Sequence, residues 1–193
     1  MIKTVFAVLI TLCLAIGGGA ASLAYVLDDA RGAGALTLGA WTAYPKTGSP
    51  EADPYARART AREGILALGA AEGVAFTAVR DTSGAPLRLD CVYNIEGMAP
   101  PGRFWTLFAA VGPEAVKNQS GRPSAINSQN LLRNGEGRYI ITVGRRPAPG
   151  NWIGVTGEGA MQLVMTVYDS SLSTGTEIGD VSMPEIIQAG CNV

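Results

Sequence analysis

Acidic side chains near predicted strand ends and turns are the residues of this chain that could carry acid–base chemistry. They are Asp90, Glu96, Glu158 and Asp169. Two carboxylates on either side of a glycosidic bond can hydrolyse it, one as the acid and the other as the base or nucleophile. Acids at such positions are more often surface or turn-capping residues. Asp90, Glu96 and Asp169 are therefore weak catalytic candidates, for a hydrolase that acts on a glycan through paired carboxylates.

Histidine is absent from all 193 residues. The commonest general base, the commonest metal ligand and the usual partner of a serine or cysteine nucleophile are therefore missing. With three cysteines in the chain, a zinc site built from cysteine and histidine is also excluded. The sequence predicts no metal and no cofactor, and it favours a binding protein over an enzyme.

Aromatic and polar residues of the predicted strands and loops form a second group of candidates. Aromatic faces stack on sugars, whereas arginine and asparagine fix polar groups or anions. Strand aromatics are more often core, so the binding interpretation competes with a structural one. The net charge of −1 gives no indication of a nucleic-acid partner. The candidates are Arg103, Arg122, Asn151 and Trp152, with Tyr93 and Trp105 as further aromatics.

Two cysteines lie in the predicted globular part, Cys91 in a strand and Cys191 near the end of the chain. In an oxidising compartment we expect them to form a disulfide. A redox pair is the alternative, but it needs close spacing or an activating neighbour. Cys13 lies in the apolar N-terminal segment and is predicted to stay free.

Residues 4–27 contain no charged side chain. At about 1.5 Å per residue, such a helix crosses the ~30 Å hydrocarbon core of a bilayer. A cleaved signal peptide is the alternative, but the apolar run continues past the small residues at 19–21. Lys3 precedes the segment and Asp28 and Asp29 follow it, which predicts a cytoplasmic N-terminus and a body outside the cytoplasm.

The remaining elements follow from hydrophobic periodicity. Asp53 and Pro54 predict the start of an amphipathic helix, whose apolar positions are Tyr55, Ala58, Ala61, Ile65 and Leu68. Later segments alternate with period 2 between glycine and proline turns, which predicts a mainly β fold, an antiparallel jelly-roll-like sandwich. One of the predicted strands covers residues 125–133, whereas residues 184–188 are predicted to be a connection that leads to Cys191. The predicted organisation is an anchor at 1–28, a linker with a possible first strand and the amphipathic helix at 29–82, and a sandwich domain at 83–193.

Four sequence blocks carry a family resemblance: Arg103–Leu107, Arg122–Ile126, Pro149–Ile153 and Leu163–Asp169. Over residues 83–193 the chain resembles the domain-of-unknown-function family 1214, particularly its short, membrane-anchored alphaproteobacterial members. The resemblance implies a jelly-roll-like sandwich in the bacterial envelope and brings no accepted catalytic residues.

Larger relatives carry a family 1254 domain before this one, which implies that a separate partner protein could supply it. With the anchor, we expect a single-pass protein of the bacterial inner membrane whose body lies in the periplasm. There it would bind a partner protein or an envelope polymer.

Overall fold

The structure is a computed structural model that describes residues 2–28, 34–64, 66–69, 71–98, 100–116, 121–170 and 181–191. Within these ranges the chain forms two helices and eleven strands. The helices are α1 (Ile2–Asp28) and α2 (Pro54–Glu63). The strands are β1 (Leu36–Leu38), β2 (Trp41–Ala43), β3 (Gly73–Ala78), β4 (Cys91–Gly97), β5 (Phe104–Val111), β6 (Glu114–Ala115), β7 (Ala125–Asn127), β8 (Tyr139–Gly144), β9 (Asn151–Gly154), β10 (Gln162–Tyr168) and β11 (Glu185–Cys191).

Helix α1 is the apolar N-terminal segment. Its residues Ile2–Tyr25 have a mean hydropathy of 2.2 and none of them is buried. Among the described residues this helix alone is long and apolar enough to cross a membrane. The free cysteine, Cys13, lies exposed on it.

Helix α2 begins where the sequence predicts. Asp53 accepts hydrogen bonds from the backbone N–H groups of Tyr55 at 2.9 Å and Ala56 at 3.1 Å, which caps the helix N-terminus. The predicted apolar stripe is not confirmed, because Tyr55 is 47% exposed and Ala58 and Ala61 are also exposed. Ala56 is the buried position instead. The helix ends before Leu68, and Ile65 lies outside the described residues.

The strands form two sheets, as expected for a mainly β chain. The larger has the order β1-β2-β3-β10-β5-β6, with β7 also paired to β5, and the smaller has the order β11-β4-β8-β9. The described pairs are antiparallel except β8 and β9, which run parallel. The predicted antiparallel pairing is confirmed for the other described pairs, and this edge departs from it. There the segment 145–150 carries the chain back to the start of β8, so that β9 runs in the same direction.

Strand β11 was missed, since the sequence suggested only a connection from Pro184 to Cys191. It pairs with β4 and places Cys191 opposite Cys91. The predicted disulfide between them is confirmed, with an S–S distance of 2.01 Å. The predicted strand over 125–133 is also shorter than expected. It stops at Asn127, whose side chain accepts from the N–H groups of Gln129 and Asn130 and turns the chain.

Side chains from both sheets form one buried cluster. The ring centroids of Trp105 on β5 and Tyr139 on β8 lie 5.5 Å apart, so the larger and smaller sheets contact each other there. Because successive side chains of a strand point to opposite faces of the sheet, the residues between the buried ones point away from this cluster. The largest fully buried side chains are Trp41, Trp105, Tyr93, Phe76, Leu87, Ile95, Leu107, Ile141, Ile153, Leu163 and Met165.

Candidate functional site

The outer face of the smaller sheet is the surface on which predicted binding residues come together. Strands β4, β8, β9 and β11 turn alternate side chains into the core, where Tyr93, Ile141, Ile153 and Ile186 are fully buried. Their neighbours along each strand therefore point to the opposite side. We define the outer face by those side chains: Val92, Asn94, Glu96, Ile140, Thr142, Trp152, Glu185 and Ile187.

One row of the outer face crosses all four strands in register. Ile187 on β11 is the Cα partner of Asn94 on β4, Asn94 is the partner of Thr142 on β8, and Thr142 is the partner of Trp152 on β9. Thr142 Oγ1 donates to Asn94 Oδ1 at 3.3 Å. The row therefore places an indole, a hydroxyl, an amide and an aliphatic side chain side by side.

Trp152 lies against a glycine at the end of this row. Its Nε1 donates to the Gly144 carbonyl at 3.2 Å. A Cβ built on Gly154 would lie only 3.2 Å from Cζ2 and Cη2 of the indole, closer than ordinary van der Waals contact. Gly154 has no positive φ, so the glycine is needed here for space and not for backbone conformation. The indole therefore lies across the sheet surface above Gly154.

Arg122 approaches the same point from the segment before β7. Its Cβ lies 3.5 Å from a Cβ built on Gly154, and its Nη1 donates to the Arg145 carbonyl at 3.3 Å. The Gly154 N–H donates to the Pro123 carbonyl at 2.9 Å, which holds this segment beside β9. The structure therefore brings together Arg122 and Trp152, two of the predicted binding residues.

Asn151 faces away from this surface and into the fold. Its Nδ2 donates to the carbonyls of Leu132 at 2.8 Å and Ile140 at 3.0 Å, and its Oδ1 accepts from the Leu132 N–H at 2.8 Å. The side chain is buried and binds backbone from two segments. A ligand-binding role for Asn151 stays a prediction, and these bonds favour a structural one.

The predicted acids Asp90 and Glu96 lie at opposite ends of β4. Asp90 accepts two hydrogen bonds from the Arg88 guanidinium, at 2.9 and 3.1 Å, and these bonds lower the pKa of the Asp90 carboxyl. Glu96 lies at the other end of β4, about 20 Å away at ~3.3 Å per residue. That is well beyond the ~5–9.5 Å that separates the two carboxylates of a glycosidase.

Arg103 and Asp169 belong to the larger sheet. They flank the paired ends of β5 and β10, where Arg103 Nη1 and Asp169 Oδ2 lie 3.9 Å apart with both side chains largely exposed. Asp169 has a φ of 52°, which suits a turn residue that follows a strand. The structure does not bring this pair together with Arg122 and Trp152.

The other predicted residues are distributed as follows. Tyr93 and Trp105 are core side chains; the Tyr93 hydroxyl accepts from the Arg88 N–H at 3.0 Å, and burial raises its pKa. Glu158 lies 4.0 Å from Arg145, which also donates to the Gly157 carbonyl. In the part of the chain that the structure describes, no three acidic, cysteine or histidine side chains are grouped as metal ligands.

Sequence reasoning missed Asn94, Thr142 and Ile187, the middle and far end of the row. For Asn94 and Thr142 the signal is period-2 alternation along β4 and β8, where each lies between two apolar residues. Ile187 has no such signal, because Gln188 follows it. Their common face depends on the register between strands far apart in sequence, and β11 itself was not predicted.

The family model for DUF1214, described as a protein of unknown function, matches residues 72–172. The chain belongs to the DUF1214 family. No curated protein matches the sequence.

Two solved structures are similar to this DUF1214 chain. The VPA0106 protein from Vibrio parahaemolyticus is 20% identical, with a TM-score of 0.56 over 70% of this chain and 35% of that one. This chain therefore spans about a third of that protein, and the likeness shows the fold alone. An uncharacterized protein from Burkholderia cenocepacia is 13% identical, with a TM-score of 0.42 over 94% of this chain and 52% of that one.

Proposed function

We propose that this DUF1214 protein is a membrane-anchored envelope protein whose jelly-roll-like β domain binds a partner protein or an envelope polymer. Helix α1 is the single-pass anchor in the bacterial inner membrane, with its N-terminus in the cytoplasm and the β domain in the periplasm. The lysine before the apolar segment and the two aspartates after it support this orientation. The Cys91–Cys191 disulfide suits an oxidising compartment.

The observation that carries the binding proposal is the in-register row on the outer face. Ile187 and Ile140 are 42% and 53% exposed, so apolar surface lies beside the polar Asn94 and Thr142. Trp152 with Arg122 at the end of the row adds the residue types that dominate binding energy at interfaces. Such a mixture of aromatic, polar and aliphatic groups is typical of a recognition surface.

The test is a charged substitution in the middle of the row. Thr142→Arg places a long cationic side chain on the outer face, where it obstructs whatever packs there. Val111→Arg is the matched control, because Val111 is a 49% exposed strand residue of the larger sheet. We expect components that co-purify with the wild-type protein from membranes to be lost from Thr142→Arg and kept by Val111→Arg. Equal recovery with both variants would contradict the proposal.

A partner protein carrying a family 1254 domain is one candidate for this surface. We propose that a separate protein with such a domain packs on the outer face of the smaller sheet.

A hydrolase with paired carboxylates is the second candidate, and one observation favours it. Glu96 and Glu185 are Cα partners across β4 and β11, so two carboxylates share the outer face. Asp90 is less suited to be the general acid of such a hydrolase, because the lowered pKa of its carboxyl opposes proton donation near neutral pH. Glycan-cleaving activity that is lost in Glu96→Gln and Glu185→Gln, with folding intact, would favour this candidate over binding alone.

A further inference from the structure

We propose that the outer face binds a glycan strand whose sugars carry carboxylate groups. One sugar ring stacks on Trp152 and its carboxylate pairs with Arg122. The inference rests on the proposed binding function of this face and names the ligand class.

The position of the indole supports sugar stacking. The edge of the Trp152 indole that carries Nε1, Cζ2 and Cη2 lies against Gly144 and Gly154, and the Nε1–Gly144 bond fixes its orientation. Trp152 is only partly buried, which leaves indole surface for a flat ligand. Aromatic rings with a fixed orientation bind apolar faces with little loss of side-chain entropy, and a pyranose ring offers such a face.

The distribution of charge on the outer face selects an acidic sugar at the Trp152 end. The Arg122 stem lies near the indole. Arg145 follows β8 at the same end, but Glu158 lies 4.0 Å from it and offsets its charge, so the attraction rests on the Arg122 guanidinium. Glu96 and Glu185 lie on the neighbouring row, on the two strands farther from Trp152. Because a guanidinium binds a carboxylate through two parallel hydrogen bonds, the acidic group is attracted to the β9 edge and repelled from β4 and β11.

The middle of the row provides neutral hydrogen-bonding groups for the next sugars. Thr142 donates to Asn94 Oδ1, which leaves the Asn94 amide hydrogens for another acceptor. Four strands at ~4.8 Å spacing make the row about 14 Å long, enough for several sugar units. A strand that runs across the sheet would therefore meet indole, hydroxyl and amide in turn.

The test uses the full chain in detergent micelles with two defined tetrasaccharides. Tetragalacturonate carries a carboxylate on every sugar, and cellotetraose is the neutral control. Trp41 and Trp105 are fully buried, so acrylamide quenching of fluorescence reports mainly on Trp152. We expect tetragalacturonate to bind in calorimetry and to protect Trp152 from acrylamide, whereas cellotetraose binds at least about tenfold more weakly, the value of one charge-assisted contact.

Three variants separate the two contacts. Arg122→Gln should weaken tetragalacturonate binding about tenfold or more and leave cellotetraose unchanged. Trp152→Ala should abolish binding of both glycans. Gly154→Ala should also weaken both, because its new Cβ displaces the indole while the arginine is retained. Val111→Ala, on the larger sheet, should bind like the wild type, and thermal melting of each variant checks that it is folded.

Failure of this inference is distinguishable from failure of the proposed function. No binding of tetragalacturonate, or equal affinity for both glycans, overturns the acidic-glycan inference. If Thr142→Arg still removes a co-purifying protein in that case, the outer face is a protein-binding surface and the proposed function stands. Loss of tetragalacturonate binding in Trp152→Ala and Arg122→Gln, with melting temperatures preserved, supports the inference.

Discussion

The Asn151 amide joins three backbone groups at the start of β9. It binds the N–H and C=O of Leu132 and the C=O of Ile140 while it is buried. Loss of the amide would break all three of these hydrogen bonds. Asn151 therefore stabilises the arrangement of the 128–138 loop against β8 and β9.

Asn151→Ala should lower the free energy of unfolding by about 2–4 kcal/mol, because three hydrogen bonds are lost at about 1 kcal/mol each. Asn130→Ala is the matched control, since Asn130 is exposed in the same loop and its replacement should change stability by less than about 0.5 kcal/mol. Urea denaturation of both variants measures the difference. Similar free energies of unfolding for the two variants would show that the Asn151 amide does not stabilise the fold.

Asp81 organises a turn that reaches the C-terminal strand. Its Oδ1 accepts from Ser83 Oγ at 2.7 Å and from the Ala85 N–H at 2.9 Å. Thr82, beside it, exchanges two hydrogen bonds with Ile186 of β11. Burial acts to raise the pKa of the Asp81 carboxyl. The hydrogen bonds that this carboxyl accepts from the Ser83 side chain and from nearby backbone N–H groups together lower it below 3.8.

A carboxyl whose pKa is lower in the folded state stabilises the fold above its unfolded-state pKa, and this contribution is lost as pH falls through the folded-state value. Asp81→Asn should therefore be less stable than the wild type near neutral pH, and the gap should narrow in acid below about pH 3.9. The melting temperatures of Asp81→Asn and the wild type, recorded as a function of pH, measure this difference in stability. A gap independent of pH would exclude an ionised Asp81 as the cause.

At the residue scale, the sequence named candidate residues but could not show where their side chains point. Arg122 and Trp152 do lie together, because blocks far apart in sequence meet at Gly154. Asn151, next to Trp152 in sequence, faces the other side, because successive strand residues alternate between faces. The composition of a turn could not show which of the two neighbours would remain on the surface.

Strand β11, at the end of the described chain, pairs with β4 of the smaller sheet. The Cys91–Cys191 bridge closes a sequence separation of 100 residues, and the two cysteines are register partners at the end where Asp90 and Arg145 also lie. In the chain-entropy model, such a loop restricts the unfolded chain by up to about 4.7 kcal/mol.

Replacing both Cys91 and Cys191 by serine should lower the free energy of unfolding by about 2–5 kcal/mol. Reductant should destabilise the wild type by a similar amount and leave the double variant unaffected. Cys13→Ser is the control and should respond to reductant like the wild type, because Cys13 is free. A double variant as stable as the oxidised wild type would contradict the stabilising role of the bridge.

At the element scale, long segments of strict alternation were the predictable ones, such as β4, β5 and β10. The start of α2 was predictable too, because Asp53 and Pro54 are local signals. The parallel β8–β9 pair and β11 were not, since both depend on pairing between distant segments. The exposed Ile187 and Gln188 also break the alternation of buried positions along β11, which removed the usual strand signal.

On the scale of the whole molecule, α1 holds the β domain on the periplasmic side of the membrane in the orientation that we propose. We expect the full chain to resist alkaline extraction from membranes, as an inserted helix does, and protease added to spheroplasts to digest the β domain. An inert cytoplasmic protein should remain intact in the same sample. Release by alkali, or protection of the β domain in intact spheroplasts, would contradict the proposed anchoring and orientation.

The central claim is that the outer face of the smaller sheet contacts a ligand in the envelope. Photo-cross-linking in living cells tests it most directly, with a photoreactive residue at position 142 in one strain and at position 111 in another. We expect an adduct from position 142 that disappears in the Trp152→Ala background, and no matching adduct from position 111. Absence of any adduct from position 142, or the same adduct from both positions, would contradict it.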